Sequence, residues 1–247
     1  MKNAAAAEPQ ALGEVCALSK YRIMFSKLNM AKYISHLDLL RCFTRAIMRS
    51  GLPVKYSQGF NPHMKLTFSL PLSIGVTSEC ETADIEFSDG TSTDEIREKL
   101  SVNLPPDIRV LDVYAPRMSA NDIVSAEYKI TLFTDEPLNS KDIKEFFGRS
   151  EVTIIKMTKK TKKTGGAEVN LMDYVKGASL ITDKAEKTAD GYKTELNLTL
   201  SAGGQSNLKP EIAVTACAEA LPQAVTSYDI HRTKIFAQNG DVLAEFA

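Results

Sequence analysis

The sequence predicts an α+β fold in which the order β-α-β-β-α-β occurs twice. Two observations predict it. Short stretches of strand-period alternation are interleaved with stretches of helical period. A run without either period, Pro116-Arg117-Met118-Ser119-Ala120-Asn121, then reads as a boundary after which the order begins again. A β-α-β-β-α-β unit is the ferredoxin-like, RRM-type motif. The expected organisation is a flexible tail over residues 1–19, a ferredoxin-like domain over 20–116, and a second over 121–247.

In order along the chain, Tyr21 to Lys27 alternates Tyr21, Ile23 and Phe25 and reads as a strand. Asn29-Met30-Ala31 turns the chain. Ser35 to Ser50 reads as a helix closed by Gly51 and Pro53, opened by Ser35 and Asp38 as an S-x-x-D capping box. Leu66 to Leu70 and Thr82 to Phe87 are expected strands. Thr93 to Leu100 is a helix with Thr93 as its cap, and Ile108 to Tyr114 is a strand. Beyond the boundary come a strand over Ala126 to Phe133, a helix over Ser140 to Phe147 and a strand over Val152 to Met157. Ser179 to Thr182 and Tyr192 to Leu200 suggest a hairpin. Leu208 to Leu221 is a helix entered through Lys209-Pro210, and Val225 to Phe236 is the last strand. The duplication is one of architecture, without a clear residue-level repeat.

The chain of 247 residues has 43% hydrophobic and 25% charged residues, the composition of a soluble globular protein with a sizeable core. No run approaches the length of a membrane span. Glu8, Pro9 and Glu14 interrupt the apolar stretch that a signal peptide needs. Cys16, Cys42, Cys80 and Cys217 are far apart and form no C-x-x-C, so no zinc or iron–sulfur motif is read and a reducing, cytoplasmic setting is expected. His36 and Asp38 diverge at a helix start, and His231 lies in the last strand with no visible Cys or carboxylate companion. No bound metal and no cofactor are expected.

Net charge is −1, but the charges are segregated. Between Lys20 and Leu70 nine Lys and Arg face one acid, Asp38, a net of +8 that leaves −9 on the remainder. In the helix, Leu39, Leu40, Phe43, Ala46 and Ile47 share one face. Arg41, Arg45 and Arg49 line the other, about one turn apart. Guanidinium forks match phosphate oxygens, and an ordinary solvated face would mix signs. His36, at the first helical position, leans by angle towards the core. Lys159, Lys160, Lys162 and Lys163 form a second basic run, read first as a solvated loop and second as a phosphate-binding finger.

The loop Tyr56-Ser57-Gln58-Gly59-Phe60-Asn61-Pro62-His63 has turn formers that explain a turn but not its aromatics. Tyr56 and Phe60 would either tuck under the loop or stack on bases. Taken alone, Phe60 is expected to tuck. Together with Lys55, Gln58, Asn61, His63 and Lys65 the set reads as a surface for single-stranded RNA. The expected interface is Lys32, His36, Arg41, Arg45, Arg49, Lys55, Tyr56, Gln58, Phe60, Asn61, His63 and Lys65, with the loop as the rim of a basic groove and the Arg face as its floor.

Several stretches carry a resemblance: F-S-K at Phe25, I-S-H-L-D at Ile34, L-P-x-x-Y-S-x-G-F-N-P-H-x-K at Leu52, P-L-x-x-G-x-x-S-x-x-E at Pro71 and L-K-P-E at Leu208. From about Lys20 to Phe236 the chain resembles a family of radical-SAM-associated proteins of unknown function. Its members stand alone or are fused C-terminally to Elp3-like radical SAM enzymes. The resemblance implies an accessory partner of such an enzyme, with tRNA or rRNA as the shared target. This chain has no C-x-x-x-C-x-x-C for a cluster of its own.

Three functions follow as expectations. The first is RNA binding for a radical SAM partner, without catalysis. The second is metal-independent RNA processing with His36 or His63 moving the proton, by analogy of fold with Cas6-type endoribonucleases. The third is a scaffold whose basic face docks on the partner enzyme.

Overall fold

Strand β1 (Lys20–Lys27) lies between β4 (Ile108–Tyr114) and β3 (Thr77–Glu86), antiparallel to both. Its odd positions, Tyr21, Ile23 and Phe25, are buried under α1 (His36–Ser50) and α2 (Thr93–Asn103). The expected alternation therefore faces a core. The computed structural model describes residues 20–88, 90–157, 161, 165–240 and 242–246. The expected tail over 1–19 and the run Lys159, Lys160, Lys162 and Lys163 lie outside them.

Helix α1 forms as its sequence dictates. Ser35 Oγ accepts from the Asp38 N–H at 3.2 Å, and Gly51 closes the helix at φ 67°, where a side chain is disfavoured. Leu39, Phe43, Ala46 and Ile47 are buried, while Leu40 is half-buried. Phe43 stacks tilted on Phe25 with ring centroids 4.8 Å apart. Each large side chain in this layer contributes about 1.5–3 kcal/mol by burial. Before α1, residues Asn29–Tyr33 form a 3-10 helix rather than a simple turn. Helix α2 is capped by Ser92, whose Oγ accepts from Glu95 N at 3.1 Å, and not by Thr93, which is the first helical residue.

The second half supplies β5 (Ile123–Thr134), α3 (Ser140–Phe147), the hairpin β6 (Thr153–Lys156) and β7 (Ala167–Asn170), then β8 (Val175–Leu180), β9 (Glu186–Thr188), β10 (Gly191–Ser201), α4 (Pro210–Ala220), β11 (Val225–Asn239) and β12 (Val242–Glu245). The expected hairpin partners β8 and β10 do pair antiparallel. With β2 (Leu66–Phe68), ten of these strands make one large mixed sheet in the order β4-β1-β3-β11-β5-β10-β8. Strand β2 adds to β3, β9 to β10 and β12 to β11. The order thus reads β4-β1-β3-β2 in the first half and β11-β5-β10-β8 in the second. Four α-helices are present among the described residues. The apolar core forms one cluster from Tyr21 to Val113, another from Val76 to Ile230, and a third, smaller one of Cys80, Ile123, Ile235, Ala237 and Phe246.

The halves join where β3 meets β11 in parallel, through His231↔Thr77 and Arg232↔Ser78. This junction explains why β3 begins at Thr77 and not at the expected Thr82: the polar stretch Thr77–Glu81 is a seam. Arg232 is buried there. Its Nε donates to Glu81 Oε1 at 3.0 Å, its Nη2 also contacts Glu81, and the same nitrogen donates to the Leu70 carbonyl at 2.8 Å. Lys27, equally buried, donates to the Ile34 carbonyl at 3.1 Å. Arg22 is fully buried between Asp84 (2.7 Å), the Met118 carbonyl (3.0 Å) and the Phe246 ring (4.2 Å). Linker and C-terminal hairpin so cover the side of the first-half sheet that faces away from α1.

Candidate nucleic-acid interface

The +8 of the Lys20–Leu70 stretch does not survive folding as a field. Arg22 and Lys27 are inside the protein. Lys20 pairs with Asp84 at 3.4 Å, Lys32 with Asp229 at 3.3 Å, Arg41 with Asp38 at 2.8 Å and Lys65 with Glu86 at 2.8 Å. Apart from Asp38, these acids are distant in sequence and are supplied by neighbouring strands. The pairings shift the groups that make them. Lys65 first, and Lys55 and Lys20 after it, hold the Glu86 carboxyl below its usual range. Ser35 and then Arg41 do the same for Asp38. Burial lowers the Lys32 ammonium, but hydrogen bonding and charge attraction to Asp229, with smaller contributions from Tyr33, together more than offset it.

The expected residues occupy five places. Arg41, Arg45 and Arg49 do share the outer face of α1 and are exposed. Arg49 also donates to the Asn103 carbonyl at 2.6 Å, which closes the C-terminus of α2. Lys32 stands at the seam with the second half. His36 is exposed, contrary to the core-ward lean read from its angle, and touches Phe68 edge-on at 5.5 Å. Lys65 projects from the other side of the sheet. Leu66, Phe68, Ala83 and Ile85 pack under α1, so the alternate residues Lys65, Thr67 and Asp84 point away from it.

The fifth place is an arm. Residues 54–64 leave the sheet as a short ladder, with bridges Val54↔Phe87 and Tyr56↔Met64 and a hydrogen bond from Ser57 N to the His63 carbonyl at 2.8 Å. Met64 anchors the base in the core. His63 Nδ1 meets Ser57 Oγ at 2.9 Å, which fixes the ring. Beyond this point Gln58, Phe60 and Asn61 are exposed. Phe60 does not tuck: it is 111% exposed, and Tyr56 is 44% exposed. The arm and the α1 Arg face do not form one groove with Lys65, because Lys65 belongs to the opposite side of the sheet.

The helix-free side of the second half offers a different surface. Ile130, Leu132, Leu196 and Leu198 face the core, so Lys129, Thr131, Glu195 and Asn197 face outwards. Lys129 pairs with Glu195 at 2.9 Å, and Thr233 donates to Glu127 at 3.0 Å. The central outward positions of these paired strands carry no aromatic residue, which is what an RRM-type sheet uses to stack bases. His231 also has companions that sequence reading missed. Its Nδ1 lies 2.8 Å from Thr77 Oγ1 and its Nε2 lies 3.6 Å from Glu79. The parallel β3–β11 contact creates this trio, and no sequence spacing signals it. No group of three or more potential metal ligands occurs among the described residues. Nor, among them, is any helix long and apolar enough to cross a membrane.

A family model described as "Uncharacterized protein conserved in bacteria (DUF2344)" matches residues 20–210. No curated protein matches the chain.

Proposed function

The chain belongs to the DUF2344 family of proteins conserved in bacteria, and we propose that it binds single-stranded RNA through the first half and serves a radical SAM enzyme as an accessory protein. The observation that carries the RNA reading is Phe60, wholly exposed on an arm whose base is anchored by Met64. A large aromatic held in solvent contributes nothing to the fold and is suited to stack on an unpaired base. Arg41, Arg45 and Arg49 supply phosphate contacts on the outer face of α1. The radical SAM partner is supported by the sequence resemblance alone. Each half is read as a ferredoxin-like domain, on the support of the matching strand orders β4-β1-β3-β2 and β11-β5-β10-β8.

The test is fluorescence anisotropy with single-stranded RNA and bulk tRNA over a salt series. With three guanidiniums engaged, log K falls against log salt with a slope of about −2. Phe60→Ala is expected to weaken binding by about 1–3 kcal/mol, and Arg41→Glu/Arg45→Glu to flatten the slope. Absence of binding at low salt would falsify the RNA reading. Nuclease-resistant capture of the enzyme would then favour a docking scaffold.

A further inference from the structure

A cleft of 740 Å³ opens where the halves meet. Small-molecule sites occupy about 300–1,000 Å³. One wall is His36 at the start of α1 together with the β2–β3 connection. The other is the β10–α4 connection, with Gly203, Asn207 and Lys209. Three of the stretches on which the sequence resemblance rests, I-S-H-L-D, P-L-x-x-G and L-K-P-E, therefore meet at one place. The arm of the RNA reading contributes nothing to it.

The lining is electrostatically one-sided. Lys209, His36 and Arg232 reach it, and no Asp or Glu is among its described lining residues. Glu81 meets the charge of Arg232 from beneath, which leaves Lys209 as the uncompensated cation. Such a cleft with low-dielectric walls concentrates anions. Helix α4 begins at the cleft with Lys209 and Pro210 and has no side-chain cap, and Glu211 in its first turn is not among the residues lining the cleft. The wall is also fixed in place. Gly203 has φ 112°, and a Cβ there would stand 2.1 Å from the Ile123 carbonyl oxygen. Only glycine allows this connection to press against the start of β5 and present Asn207 and Lys209. Between the polar groups, Phe68, Leu72 and Ile74 give an apolar surface for the body of a ligand.

We propose that this cleft binds the phosphate group of a nucleotide, with Lys209 as its charge partner and Asn207 and His36 as hydrogen-bonding partners. The phosphate belongs either to a free mononucleotide or to an RNA strand. The site is distinct from the α1 Arg face and the arm, and stands or falls without them.

Calorimetric titrations of the full chain with adenosine 5′-monophosphate, adenosine and a twelve-residue single-stranded RNA test it. Adenosine 5′-monophosphate is expected to bind and adenosine not to. Lys209→Ala should weaken binding about tenfold or more, Asn207→Ala by less, and Arg41→Glu/Arg45→Glu should leave the mononucleotide affinity unchanged. If the RNA depends on Lys209 and the mononucleotide does not bind, the site is still a phosphate site and its source is the strand. If neither probe depends on Lys209 or Asn207 in variants that fold normally, the proposal is wrong.

Discussion

Two sets of cations from one basic stretch have opposite fates. Arg22 and Lys27, on β1, are buried, Arg22 against Asp84 and the Met118 carbonyl and Lys27 against the Ile34 carbonyl with Glu81 nearby. Arg41, Arg45 and Arg49, a few residues later on α1, stand in water. Composition treats the five alike. The strand is sandwiched between its own helices and the C-terminal hairpin, so both of its faces are covered. The helix has one face to bury and one to display. A cluster of cations in sequence thus says little about surface potential until the partner of each is known.

The sharpest way to break this contrast is to remove a buried counter-ion. Glu81→Gln leaves Arg232 and Lys27 without their carboxylate and is expected to cost about 3–5 kcal/mol in urea denaturation. A change well below that range would mean that the seam is open to water. A smaller effect concerns pH. Burial lowers the Lys27 ammonium; Glu81 partly restores it and Arg232 lowers it further. Its folded pKa therefore lies below the unfolded 10.5, and within that window the unfolded chain binds more protons. The contribution of Lys27 to stability should rise with pH as the window is crossed, and the rise should vanish in Lys27→Met. The smallest effect belongs to the exposed set: Arg41→Glu/Arg45→Glu should leave the urea midpoint unchanged within error. A clear loss would show that these arginines are structural.

Much of the fold was legible because it is local. The helix Ser140–Phe147 and the strand Ile108–Tyr114 have the bounds expected of them. So does the core stripe of α1, which depends on little beyond its own periodicity. What failed was non-local. The start of β3, the burial of Arg22, and the Thr77–His231–Glu79 trio each depend on a segment more than sixty positions away. The arm shows the same limit in reverse. Nothing near Phe60 told whether a surface existed beneath the loop for it to cover, and none does.

Glu81 and Arg232 are 151 residues apart. At ribosomal rates of about 5–20 residues per second, roughly 8–30 s separate the synthesis of the first from that of the second. During this interval a nascent first half carries Glu81 and, further along the sheet, Arg22, whose final coverings do not yet exist. Its sheet edge at Thr77–Ser78 is open as well, since β11 comes almost last. The early half must therefore wait in a partly hydrated state. Strand β11 then acts as a closing event for the seam, covering the edge at Thr77–Ser78 and bringing Arg232 to Glu81.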